Sequence, residues 1–202
     1  MTIYLDGVRF LKLASADFDA LPLSVGDEVD GDEYLDRLAA VQSPRAYAEA
    51  LQMLGRRDMT ASALRQALYK KGFAQPAAEA AAARLIENRL IDDARYADRF
   101  VELRQDSAAG RYAMLRKLKA KGVDADTAAA AVENLDGEQQ IAAALEWVNR
   151  LGRRYQSLPT REARAKLSQA LARRGFSWDA ISSALDRAGE IGSGGEGGWD
   201  DE

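Results

Sequence analysis

Three stretches of this chain share one layout: LRQALYKKGF from Leu64 to Phe73, MLRKLKAKGV from Met114 to Val123, and LSQALARRGF from Leu167 to Phe176. In each, an apolar residue stands eight before a glycine (Leu64, Met114, Leu167) and a leucine stands four before it (Leu68, Leu118, Leu171). A base directly precedes the glycine (Lys71, Lys121, Arg174) and an apolar residue follows it (Phe73, Val123, Phe176). Gly72, Gly122 and Gly175 are 50 and 53 residues apart. Apolar side chains four apart share one helix face. Glycine ends a helix because it takes a left-handed conformation at low cost. The bases before it complement the negative end of the helix dipole, and the next apolar residue folds back to close the core. With one helix before and one after each segment, the chain reads as three tandem three-helix repeats.

The remaining punctuation supports an all-α fold. Ser43-Pro44 reads as an N-cap followed by proline at the first helical position. Thr60, Asp92, Asp124 and Ser177 stand as caps before further helices, while Gln75-Pro76 and Pro159-Thr160 open two more. Residues 1–42 differ. Ile3 to Leu5 and Val8 to Leu13 flank Asp6-Gly7, a two-residue hairpin signal, and Asp32 to Val41 suggests a short helix. Residues 189–202, GEIGSGGEGGWDDE, are Gly-rich and acidic and bury too little to offset ordering entropy, so they read as disordered. The expected organisation is a β-hairpin and short-helix extension at 1–42, repeats at 43–91, 92–136 and 137–188, and a tail at 189–202. The repeats are expected to form an elongated, curved array, a shape suited to a large partner without a deep small-molecule pocket.

Composition narrows the chemistry. The chain has no cysteine and no histidine. This excludes disulfides and thiolate sites, and it removes the commonest metal ligand and neutral-pH base. No catalytic residue, metal site or cofactor is expected, and two acids at a helix start, Asp92 and Asp93, are explained by capping. No apolar run reaches the length of a membrane span and no signal peptide stands out, so a cytoplasmic location is expected. The net charge of −4 hides an asymmetry. Residues 1–42 hold nine acids and three bases, residues 189–202 five acids and no base, and residues 43–188 hold 25 bases against 18 acids. A basic body between acidic ends points to an anionic or acidic partner.

Several stretches together resemble the RecX family: LRQALYKKGF, then RLIENRLIDDARYADRFVELR from Arg84 to Arg104, GRYAMLRKLKAKGVD from Gly110 to Asp124, and LARRGFSWDAI from Leu171 to Ile181. Order and spacing match over residues 43–188. The family's usual Ser-x-x-Glu-Leu start of the first glycine-ended helix is here Thr60-Ala61-Ser62-Ala63-Leu64. The cap survives, but the reciprocal acid is lost, a change worth up to ~1 kcal/mol. The resemblance implies a non-enzymatic regulator that binds RecA filaments on single-stranded DNA, reaching the DNA directly or through RecA. It would lower ATP hydrolysis, strand exchange and the co-protease activity behind the SOS response. A monomer without cofactor and without membrane contact is expected.

The candidate partner-binding residues are the repeat bases Arg65, Lys70, Lys71, Arg116, Lys117, Lys119, Lys121, Arg173 and Arg174, with Arg111 added because it follows Gly110 in a break. As a recurring cluster they could meet acidic protein surfaces or phosphates. Singly, each could merely compensate a helix end, the reading also given to Arg56-Arg57 and Arg153-Arg154. Tyr112, Phe73, Phe176 and Trp178 are expected to pack in the core. The alternative function is an autonomous helical DNA-binding module. Against it, the helices after the glycines are Ala-rich and poor in base-reading side chains.

Overall fold

The computed structural model describes residues 1–104, 109–133, 135–155 and 160–193, leaving aside the side chains of 190–193. The chain divides into two compact units, Met1–Tyr96 and Ala97–Glu202.

The first unit opens with the expected hairpin. Strands β1 (Thr2–Leu5) and β2 (Val8–Lys12) pair antiparallel. Asp6 and Gly7 both have positive φ, 50° and 79°, as the tight turn between twisted strands requires. The register slips between Ile3↔Leu11 and Tyr4↔Arg9, leaving Phe10 as the extra residue of a bulge. Helix α1 (Ser15–Ala20) follows, then α2 (Gly31–Arg56). Ile3 and Leu13 of the appendage pack with Tyr34 and Leu38 of α2 and with Ala74 beyond the first repeat glycine.

Helix α2 corrects one expectation. Asp30, not Ser43, caps it, accepting the N–H groups of Asp32 (2.9 Å) and Glu33 (3.1 Å). The helix runs unbroken through Pro44, and the Ser43 hydroxyl donates back to the Ala39 carbonyl at 2.6 Å. An internal proline costs ~3 kcal/mol. Here it sits on the exposed side, so the carbonyl deprived of a donor, on exposed Ala40, can turn to water. The cost is offset by a continuous buried face, Tyr34, Leu38, Gln42, Ala46 and Ala50, that neither half could form alone. Residues 42 and 43 therefore lie inside one helix shared by the appendage and the first repeat.

Helices α3 (Ala61–Lys70) and α4 (Gln75–Glu87) complete that repeat. Thr60 caps α3 through Ala63 N–H at 3.1 Å. Asp93 reaches back to accept the Ala61 N–H at 2.9 Å. This gives that acid a capping role, and among the described residues no group of three or more acids is placed to hold a metal. Leu64, Leu68, Ala78, Ala82 and Leu85 form the repeat core with Ala46 and Ala50.

The second unit takes up α5 (Asp93–Glu102), which the unit boundary crosses, and adds α6 (Arg111–Ala120), α7 (Ala125–Glu133), α8 (Gly137–Gly152), a 3-10 turn (Arg153–Tyr155), α9 (Thr160–Arg173) and α10 (Trp178–Ser193). Asp92, Asp124, Asp136 and Ser177 cap α5, α7, α8 and α10. The Thr127 hydroxyl, then the N–H groups of Thr127 and Asp126, hold the Asp124 carboxyl below the usual carboxylate range. Helix α10 reaches Ser193, five residues into the stretch expected to be disordered. Each added helical residue gains a backbone bond once a helix is nucleated. The rest of that tail, and Pro159, lie outside the described residues.

All three repeat glycines end their helices with the same pair of bonds. Phe73, Val123 and Phe176 N–H groups donate to the Leu68, Leu118 and Leu171 carbonyls at 3.2, 3.2 and 3.3 Å. Gly72, Gly122 and Gly175 donate to Tyr69, Lys119 and Ala172, each at 2.9 Å. The glycine φ values are 91°, 82° and 84°. This is the left-handed cap that the spacing predicts. Helix α4 ends the same way, but with Arg89 at φ 57° in the glycine's place; Leu90 N–H bonds the Leu85 carbonyl at 2.9 Å. A side chain in that region costs roughly 1–2 kcal/mol, partly recovered because glycine frees the unfolded chain. Arg89→Gly is therefore expected to raise stability by about 0.5–1 kcal/mol, read as a higher urea midpoint at unchanged slope. A lower midpoint would mean that the Arg89 side chain contributes more than its backbone costs.

Candidate functional site

The helix cap leaves groups past each glycine that need partners, and the two units supply them differently. In the first unit, Gln42 on α2 serves the turn after Gly72. Its Oε1 accepts the Ala74 N–H at 2.7 Å and its Nε2 donates to the Asp17 carboxylate at 2.8 Å. Asp17 is 1% exposed and is held by the Arg45 guanidinium at 2.6 Å. In the second unit, the start of α6 serves the turn after α9. The Gly110 N–H donates to the Arg174 carbonyl (3.2 Å) and the Tyr112 N–H to the Gly175 carbonyl (2.9 Å). Amide groups at the positive start of one helix thus meet carbonyls at the negative end of another. The contact needs both glycines. A Cβ on Gly110 would fall closer than 3.0 Å to the Gly175 carbonyl carbon, and a Cβ on Gly175 closer than 3.0 Å to Ala113.

These junctions sort the sequence-predicted cations. Arg111 is engaged inside the fold. Its N–H donates to Gln140 at 2.9 Å, and its guanidinium caps the end of α7 through the carbonyls of Val132 (2.9 Å) and Glu133 (3.2 Å). Arg174 donates to the Ala170 carbonyl at 3.0 Å and lies 4.0 Å from the Trp147 ring centroid. Lys121 sits 5.9 Å from the Phe100 ring centroid. Lys71 pairs with Glu49 at 3.1 Å. Arg65 is half-buried beside Tyr69, whose hydroxyl burial, and next the Glu79 carboxylate, hold above the usual phenol value. Lys70, Arg116, Lys117, Lys119 and Arg173 are exposed, and they form no ion pair among the described residues.

Two aromatics depart from expectation. Trp178 is 71% exposed and Tyr112 is 50% exposed, whereas Phe176 is buried and Phe73 packs on the first repeat core. Both exposed aromatics stand in the first turn of a helix, Tyr112 second in α6 and Trp178 first in α10. Side chains lean toward a helix N-terminus, so a first-turn residue projects past the packed face even when its spacing matches the core. Tyr112, Arg116 and Lys119 are spaced to share one face of α6 and are all exposed. That spacing was the available signal, and the habit of placing aromatics inside hid it.

Three family models match in order: RecX, first three-helix domain over residues 46–85, RecX, second three-helix domain over 92–132, and RecX, third three-helix domain over 138–185. The chain belongs to the RecX family. The "Regulatory protein RecX" of Stenotrophomonas maltophilia is 33% identical over 137 residues, covering 67% of this chain and 82% of that protein. The Bacillus subtilis protein of the same name is 28% identical over 177 residues, covering 86% of this chain and 67% of its own length. A crystal structure of a regulatory protein RecX superposes with a TM-score of 0.68 at 26% identity, covering 92% of this chain and 94% of the other. RecX from Lactobacillus salivarius, at 23% identity and TM-score 0.68 over 73% of this chain, shares the fold. The RecX relatives are named as regulatory proteins, and a regulatory role follows for this chain. No helix among the described residues is long and apolar enough to cross a membrane.

Proposed function

We propose that this RecX chain, acting as a cytoplasmic monomer, binds RecA filaments on single-stranded DNA. Binding restrains the filaments and lowers ATP hydrolysis, strand exchange and SOS co-protease activity. One observation carries the partner surface: exposed cations that form no ion pair among the described residues recur on the glycine-ended helices, Lys70 on α3, Arg116, Lys117 and Lys119 on α6, and Arg173 on α9. Unpaired surface cations are the groups free to meet acidic side chains or phosphates. The exposed rings of Tyr112 and Trp178 add contact area of the kind that anchors interfaces. Arg65, Lys71, Lys121, Arg174 and Arg111 act in support, since their charges are partly occupied within the fold.

The reading as an autonomous DNA-binding module gains less support. Helices α4 and α7, which follow the glycines, turn alanines inward (Ala77, Ala78, Ala81 and Ala82; Ala128 and Ala131) and present few base-reading groups.

Added to a matched RecA on single-stranded DNA, the chain is expected to lower steady-state ATP hydrolysis. Charge reversal at Lys70, Lys71, Arg116 and Lys117 together is expected to weaken that inhibition while leaving the circular dichroism intact. Unaltered hydrolysis at several-fold molar excess of the wild-type chain would overturn the reading. Tight, sequence-specific binding to naked duplex in fluorescence anisotropy would favour the DNA-binding module.

A further inference from the structure

The hairpin, which the regulatory reading does not use, forms one wall of a groove whose other wall carries Lys70 and Lys71 of the proposed regulatory surface. Its volume is about 740 Å³, and it runs between β2 and the end of α3. Six consecutive residues, Arg9 to Ala14, line the hairpin side. A strand seen face-on contributes alternate residues, so a consecutive run means that the strand meets the groove edge-on. The sheet has two strands, and among the described residues no third strand pairs with β2. The opposite wall is the run Tyr69 to Gln75, the basic helix end and its glycine turn.

The groove carries one sign of charge. Arg9, Lys12, Lys70 and Lys71 line it, and no acid does. Of the four, Lys71 pairs with Glu49, and among the described residues Arg9, Lys12 and Lys70 form no ion pair. The hollow along β1 has the opposite character, lined by Asp6, Asp27 and Glu28. The walls are also held in place. Leu13 and Ala74 are buried together in the appendage core, and the Asp17–Gln42–Ala74 chain of hydrogen bonds fixes the turn after Gly72. A preformed edge reduces the ordering cost of binding.

We propose that this groove binds an extended acidic peptide segment of a partner protein, added as a third strand along β2. The backbone of the segment would pair with the free edge, while its carboxylates would meet Arg9, Lys12 and Lys70. A nucleic-acid strand fits less well, because two of the three rings at the groove are engaged: Phe10 packs against Gly31 and Phe73 packs on the repeat core. Tyr69 alone keeps an exposed ring, with its hydroxyl at Glu79, so the groove offers one stacking platform where a strand of bases uses successive ones.

The test uses the full chain and fluorescence anisotropy at low salt with a fluorescein-labelled peptide alternating glutamate and valine. That peptide is expected to bind. Replacing its glutamates by lysine, or N-methylating alternate amides, is expected to weaken binding by about tenfold or more. Arg9→Glu combined with Lys12→Glu changes two exposed side chains and is expected to weaken the acidic peptide by a similar factor, with an unchanged thermal melt. Arg9→Ala with Lys12→Ala serves if the reversal disturbs the hairpin. Equal binding by the N-methylated peptide would overturn strand addition, and equal binding by the charge variants would overturn the assignment to this groove. Complete displacement by oligothymidylate that itself binds more tightly would assign the groove to nucleic acid instead.

Discussion

Gly175→Ala is expected to destabilise the second unit by about 3–5 kcal/mol, whereas the equivalent Gly72→Ala costs about 1 kcal/mol in the first. Both glycines end a helix at positive φ, 84° and 91°, so the backbone strain is similar. The surroundings differ. A Cβ on Gly72 meets nothing within 4 Å, whereas one on Gly175 collides with the backbone and Cβ of Ala113. Overpacking against a backbone adds roughly 1–3 kcal/mol, and pushing α6 away would strain two hydrogen bonds worth about 1 kcal/mol each. Gly110→Ala tests the same junction from the other side and without strain, since φ there is −71°. It should fall between the two, and the double variant should cost less than the sum, because both changes break one contact. The first unit contains no tryptophan, whereas Trp147 and Trp178 stand in the second. Urea unfolding followed by tryptophan fluorescence therefore reads that unit, and circular dichroism reads Gly72→Ala. Equal costs at Gly72 and Gly175 would refute the close helix-to-helix junction.

Breaking the buried polar chain at Asp17 should have the next largest effect, and the order of two variants tests its cause. Asp17→Ala leaves the Gln42 amide with only its long 3.5 Å contact to the Gly72 carbonyl, while Arg45, half exposed, can return to water; a loss of about 2–3 kcal/mol is expected. Arg45→Ala leaves a carboxylate that is 1% exposed without its cation, and about 3–4 kcal/mol is expected. Both losses should appear as faster amide hydrogen exchange in β1, β2 and α1, with the second unit unaffected. The reverse order would mean that the ion pair contributes little and that the Asp17–Gln42 bond dominates.

The repeat was legible because each of its parts is a local rule. A leucine four residues before a glycine, a base beside it and an apolar residue after it suffice to specify a left-handed helix end, and Asp92, Asp124, Thr60 and Ser177 announce helix starts in the same short-range way. The hairpin turn at Asp6-Gly7 was equally local. Ser43-Pro44 misled because it carries a strong local signal that a long-range gain overrides: the continuous face from Tyr34 to Ala50 buries enough to carry a proline inside α2. The candidate site was legible as a set of cations but not as a ranking. Lys119 and Arg111 look alike in the sequence, yet one faces solvent and the other caps α7 through Val132 and Glu133.

The order of amino acids alone thus determined where helices start and stop, that three similar units follow one another, and that the middle of the chain is basic. Tertiary structure decided which neighbours the helix ends find: Gln42 for the turn after Gly72, and the start of α6 for the turn after Gly175. It also decided that Trp178 and Tyr112 face water. The physical reason is range. Caps and glycine turns are settled within about five residues of chain, whereas the partner of a leftover carbonyl or the exposure of a ring depends on groups many residues away.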